Sequence, residues 1–226
     1  MTDRHLSTQF DEELKVVSAR VLEMGGLAES QVTKAFSALI NSRAHEAVLV
    51  LDREGRMSAM QVDIDRDLSG IIARRQPAAR DLRSLIGFSK AVANLERIGD
   101  EAVRIARTVQ HFVDSGVSTS MQLPLADIDF IGKLAMSQLR NALNAFSRLD
   151  VTDALEQLKT DKIAMAFDGL VRKLTSHMME DPRATSAVVD LVLAANALER
   201  VGDHAKNLYE QIVYIVNGTH DLHRPA

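Results

Sequence analysis

From Phe10 onward the apolar residues fall at steps of three and four: Phe10, Leu14, Val17, Val21, Met24, Ala28, Val32, Ala35 and Leu39. That spacing is the stripe of a helix packed against other helices. At the usual rise per residue, a helix of about 32 residues is roughly 48 Å long. Gly25 and Gly26 lie inside it, each costing about 1 kcal/mol relative to alanine, so close packing or a slight bend is expected there. Asn41-Ser42 supplies a cap, and a second helix is predicted from Ala44 to Arg75. Pro77 stops it, and a third runs from Ala78 to about Asp114.

Ser115-Gly116-Val117-Ser118-Thr119-Ser120 is a small, polar linker. Helical patterning resumes near Leu125 and runs to about Leu149. It breaks at Asp150-Val151-Thr152 and continues from Asp153 to Met179. Asp181-Pro182 reads as a helix start, and the last helix reaches Asn217-Gly218. No stretch alternates with period two. The pattern therefore predicts an all-α chain of six long helices in two tandem three-helix bundles, residues 1–116 and 117–226, each with its own core.

The two halves also match residue by residue. Leu95-Glu96-Arg97-Ile98-Gly99-Asp100-Glu101-Ala102 recurs as Leu198-Glu199-Arg200-Val201-Gly202-Asp203-His204-Ala205, 103 residues later and identical at six of eight positions. Ser30-Gln31 recurs as Ser137-Gln138, and Pro77 as Pro182, at offsets of 107 and 105 residues. An internal duplication about a hundred residues long accounts for all three.

Composition narrows the chemistry. The 226 residues include no cysteine, which excludes disulfides, thiolate metal sites and Cys nucleophiles. A net charge of −4 speaks against nonspecific binding to nucleic acid. The acidic, polar start has no secretory h-region. The longest nearly apolar run, Ala187 to Leu198, contains Asp190 and falls short of the roughly 20 residues that span a bilayer. The expectation is a soluble, cytoplasmic protein. Neither a Gly-x-x-x-x-Gly-Lys loop nor a Gly-x-Ser-x-Gly elbow is present, so no enzyme activity is expected.

The repeated octapeptide carries the candidate site. Glu96 and Glu199 fall on the inward stripes of their helices, and Asp100 and Asp203 follow one turn later on the same faces. Carboxylates so placed repel unless a cation or an arginine lies between them. Gly99 and Gly202 leave room for an ion or a neighbouring helix. Two readings remain: Arg97, Arg200 or other basic side chains pair these acids, or a metal binds. All-carboxylate ligation suits hard or intermediate cations such as iron, manganese or magnesium. A metal would need further donors, for which Asp52, Glu54, Asp63 and Asp161 are candidates. The histidines form no ligand pair, and His204 reads as solvent-facing. Arg74-Arg75-Gln76-Pro77-Ala78-Ala79-Arg80-Asp81-Leu82-Arg83 is a basic cluster that reads as a solvated face.

From residue 7 to residue 217 the chain resembles the PhoU family. The carrying residues are Met24-Gly25-Gly26, Ile71-Ile72-Ala73-Arg74-Arg75-Gln76-Pro77, Met178-Met179-Glu180-Asp181-Pro182-Arg183 and the two Glu-Arg-Ile/Val-Gly-Asp copies. The resemblance implies two three-helix repeats and a cytoplasmic homodimer that reaches the membrane only through partners. It further implies negative regulation of phosphate uptake and of the phosphate-starvation (Pho) regulon, linking the ATPase subunit of the Pst importer to the PhoR histidine kinase. By position it implies Glu96, Asp100, Glu199 and Asp203 as metal ligands, with Fe, Mn, Mg or Zn as the ion. In the second helix of each repeat the family places an Asp-x-x-Val-Asp/Asn pattern. Here those positions read Glu54-x-x-Met57-Ser58 and Asp161-x-x-Ala164-Met165, so the later acid is missing. The alternative reading is a carboxylate-bundle metal protein, of iron or a similar ion, without a signalling role.

Overall fold

The computed structural model describes residues 8–114 and 124–218. Among these residues there are helices and no strand. Six long helices carry the fold: α1 (Thr8–Asn41), α3 (Glu54–Arg75), α4 (Ala79–Asp114), α5 (Leu125–Arg148), α7 (Lys162–Glu180) and α8 (Thr185–Asn217). Two short ones, α2 (Ala44–Leu51) and α6 (Val151–Gln157), stand ahead of α3 and α7. The architecture is the all-α pair of three-helix repeats expected from the sequence. The linker at residues 115–120 and the boundary between residues 116 and 117 lie outside the described residues.

The second helix of each repeat is interrupted, where the apolar spacing had suggested a continuous one. In the first repeat the helix stops at Leu51 and restarts at Glu54, where Gly55 weakens the helical turn. In the second it stops at Gln157 and restarts at Lys162. There Asp161 caps α7, its side chain accepting from the Ala164 N–H at 3.2 Å. Asp150 caps α6 in the same way, accepting from the Asp153 N–H at 3.1 Å. The paired breaks preserve the internal repeat at the level of the backbone.

The core corrects a second expectation. The apolar residues form one buried cluster running from Phe10 to Ile215 through both repeats, rather than one core per bundle. α4 and α8 bury more than one face each. They pack on each other more extensively than any other pair of helices, and each also packs within its own repeat. They run antiparallel, since Gly87 lies against Ile215, Asn94 bonds Asn207, Glu101 pairs with Arg200 and His111 pairs with Asp190. Small buried residues on both helices, among them Gly87, Ala91, Ala102, Ala194, Ala197 and Ala205, permit this close approach.

α1 and α5 make a second inter-repeat contact. A Cβ on Gly132 of α5 would overlap the Phe36 ring of α1, and one on Gly25 would lie 2.5 Å from a Leu143 methyl. The neighbouring Gly26 faces open space, so of the Gly-Gly pair only the first serves packing. Tyr209 is fully buried in the core, and Lys90 Nζ stands 5.0 Å from the centre of the Tyr214 ring.

Candidate functional site

The two copies of the octapeptide occupy equivalent places near the middle of α4 and α8. In the first copy Gly99 lets two neighbours approach. A Cβ there would lie 2.8 Å from Met57 Cγ of α3 and 3.3 Å from Gln31 Oε1 of α1. In the second copy a Cβ on Gly202 would lie 2.6 Å from Ile163 Cδ1 of α7, and the Gly202 carbonyl accepts from Gln138 Nε2 at 2.8 Å. Gln31 and Gln138, which the sequence showed only as a repeated Ser-Gln pair, thus both reach the motif glycine from the first helix of their repeat. Gln31 is almost fully buried, and its amide nitrogen donates to the Arg53 carbonyl at 3.4 Å.

The acids have different surroundings in the two repeats. Glu96 is half-buried; it accepts from Ser58 Oγ at 3.2 Å, and Arg97 Nε lies 4.0 Å from its other oxygen. Asp100 is exposed. Of the candidate helpers, Glu54 is taken by Arg107 at 2.7 Å and Asp63 by Arg66 at 2.9 Å. Asp52 lies exposed at the α2–α3 break.

In the second repeat the carboxylates crowd together. Glu199 is pushed above the usual carboxylate range by burial, then by Asp203, with Asp168 and Asp161 adding to it. Asn196 opposes this by donating to Glu199 at 3.3 Å. Asp203 reaches solvent, yet the packing around it raises it too; Asp161 adds to the rise while Lys206 and Arg200 pull it back. Asp161 behaves differently. Burial pushes it up, but the Lys206 hydrogen bond, the Ala164 N–H and the Lys206 charge together bring it below the usual range. Lys206 Nζ stands 2.6 Å from Asp161 Oδ2.

Between the repeats lies a polar cluster that the sequence did not disclose. Glu101 is 1% exposed, and Arg200 Nε is 2.8 Å from its Oε1, with Arg104 3.4 Å from Oε2. Burial raises its carboxyl, against the pull of Arg104 and Arg200. His204 occupies the matching position of the second copy. It is half-buried rather than solvent-facing, because α4 packs over it and its Nδ1 bonds Asn94 Oδ1 at 3.1 Å. Burial, then Arg200 and Arg97, hold the imidazole below its usual range, and since the Asn94 amide oxygen can only accept, Nδ1 is the donor of that bond. The basic cluster at the α3–α4 junction is partly internal. Arg75 Nε pairs with Glu13 at 3.2 Å and Arg74 stands 3.7 Å from the same carboxylate.

A polynuclear metal cluster does not fit these residues. Among the described residues no three His, Asp or Glu side chains gather as a cation cage. Ser58 and Met57 stand where the first site lacks acids, and Lys206 delivers a positive charge into the second.

Two stretches, residues 21–109 and 128–212, each match the model of the PhoU domain, one per repeat. The chain belongs to the PhoU family. Its relatives in that family match along nearly their whole length. The phosphate-specific transport system accessory protein PhoU homolog of Burkholderia sp is 43% identical over 99% of this chain and 95% of its own. The accessory protein PhoU of Escherichia coli K12 is 36% identical over 96% of this chain and 88% of its own. The crystal structure of PhoU from Pseudomonas aeruginosa superposes with a TM-score of 0.88 at 40% identity, covering 93% of this chain and all of that one. The PhoU regulatory protein of Streptococcus pneumoniae gives 0.83 at 25% identity, over 93% of this chain and 98% of that one. The PhoU repeat is therefore present twice, with its last helices fused into one core.

Proposed function

We propose that this protein is the accessory and negative regulator of a phosphate-specific transport system. It works as an adaptor between the importer's ATPase subunit and the PhoR histidine kinase. When phosphate is plentiful it restrains uptake and keeps the kinase from switching on the phosphate-starvation regulon. The observation that carries this reading is the full-length likeness to relatives named as phosphate-specific transport system accessory proteins. The fold suits the role. Because α4 and α8 share one core, a partner held by one repeat is fixed in position relative to a partner held by the other. Among the described residues no helix is long and apolar enough to cross a membrane.

The test has a binding arm and a genetic arm. Immobilised protein should retain the importer's ATPase subunit and the cytoplasmic part of the kinase. Deleting the gene in high phosphate should switch on a phosphate-starvation promoter, and the wild-type gene should silence it again. A promoter that stays silent in the deletion would sink the regulatory reading.

A further inference from the structure

The acid that opens the second long segment of each repeat meets a cation from that repeat's last helix. Asp161, at the head of α7, is paired with Lys206 of α8 at 2.6 Å. Glu54, at the head of α3, is paired with Arg107 of α4 at 2.7 Å. The two cations do not occupy matching positions of the repeat: at the offset of 103, Lys206 corresponds to Val103, and Arg107 to Glu210. The same charge arrangement is thus reached by different residues in the two halves.

The two pairs differ in setting. Arg107 is 61% exposed and forms a surface ion pair, of the kind that contributes little. The Lys206 side chain is only 18% exposed. Its stem is packed against the fold while its ammonium meets the more exposed Asp161. Lys206 lies one turn beyond Asp203 on the same helix, and Asp203 lies one turn beyond Glu199. Arg200, the other cation of this stretch, is engaged by Glu101 at 2.8 Å. Lys206 is left to serve Asp161 and the neighbouring Asp203, and an ammonium is a compact point charge with three donors, suited to meeting two acids at once.

We propose that the Lys206 ammonium is the resident cation of the second carboxylate site, held by Asp161 beside Asp203, in the place a metal ion would take. This repeat therefore carries its own cation at the site, and its packing does not vary with metal supply. The inference is independent of the signalling role, because it is decided on the isolated protein with no partner present.

Mn(II) is the probe, as a cation suited to carboxylates and followed directly by its electron paramagnetic resonance signal. Free Mn(II) is titrated with the full chain, its Lys206→Arg, Lys206→Met and Glu199→Gln variants, and Lys206→Met combined with Glu199→Gln. Thermal unfolding is recorded with and without the ion. Wild type and Lys206→Arg should leave Mn(II) free and melt unchanged in its presence. Lys206→Met keeps the length and removes the charge; it should bind Mn(II) about tenfold more tightly or better, and adding Glu199→Gln should abolish the gain. Folded Lys206→Met that binds no better than wild type would overturn the proposal. So would a wild-type protein that is stabilised by Mn(II) and loses that response on Glu199→Gln. The wild-type comparison stands even where Lys206→Met fails to fold.

Discussion

Arg200 Nε of α8 stands 2.8 Å from Glu101 Oε1 of α4, an ion pair set into the seam between the two repeats. Glu101 is 1% exposed, so its charge depends on the two arginines that reach it. Arg200→Ala leaves that carboxylate with the more distant Arg104. The expected loss is about 1–3 kcal/mol, below the full cost of breaking a buried pair because Arg200 is itself partly exposed. Glu101→Gln in the Arg200→Ala background should recover most of it. Urea denaturation of the single and double variants checks both.

Neutralising a carboxylate of the second site should stabilise the protein at neutral pH. Glu199 and Asp203 are like charges one turn apart, both raised by burial. Removing one such repulsion by Glu199→Gln is expected to gain about 0.5 kcal/mol. Their folded values lie above the unfolded 4.5 and 3.8, so the native state binds these protons more readily. Their contribution to stability is complete at acid pH and is lost as pH rises through the folded values. The gain from Glu199→Gln should therefore shrink on acidification, as measured by melting at stepped pH.

His204 has the opposite sign. Its folded value lies below the unfolded 6.5, so the unfolded chain takes the proton first. Its contribution is complete above about pH 6.5 and falls as pH drops below that value. Replacement by Gln should flatten this part of the stability profile without moving the Glu199 part. Denaturant midpoints of the two variants at pH 7.5 and pH 5.5 separate them.

The glycines divide into those that serve packing and those that do not. Gly132→Ala drives a methyl into Phe36 at the α1–α5 contact and should cost about 1–3 kcal/mol. Gly26→Ala meets nothing within 4 Å and should gain up to about 1 kcal/mol from helix propensity. Thermal melts of the two variants should move in opposite directions.

The shared core also fixes how the chain unfolds. With α4 and α8 packed on each other more heavily than on any other helix, neither repeat can open without exposing the other. Denaturation followed by helical content and by hydrogen exchange in each repeat should give coincident transitions. A separate transition for one repeat would contradict a common core.

Most of the architecture was legible because one signal, apolar spacing at three and four, specifies amphipathic helices and is not disturbed by tertiary context. The breaks at Asp52-Arg53 and at residues 158–161 were not seen. Apolar residues continue across both breaks, and Asp161 gives no outward sign that it caps a helix rather than binding an ion. The octapeptide marked the candidate site. What it could not supply was the partner across the fold: that Lys206 meets Asp161, that Ser58 meets Glu96, or that Arg200 crosses to the other repeat. His204 looked solvent-facing because its cover comes from α4, more than a hundred residues away.

The octapeptide offset and the antiparallel crossing of α4 and α8 together give the molecule an approximate two-fold, in which Arg97 exchanges with Arg200 and Glu101 with His204. The exchange is imperfect at the surface as well. A half-turn carries Ser58 to Met165 and Arg107 to Glu210, replacing a hydroxyl by a thioether and a cation by an anion. Whatever grips one repeat finds a different chemistry on the other. The molecule has a front and a back, and a complex with it has one orientation.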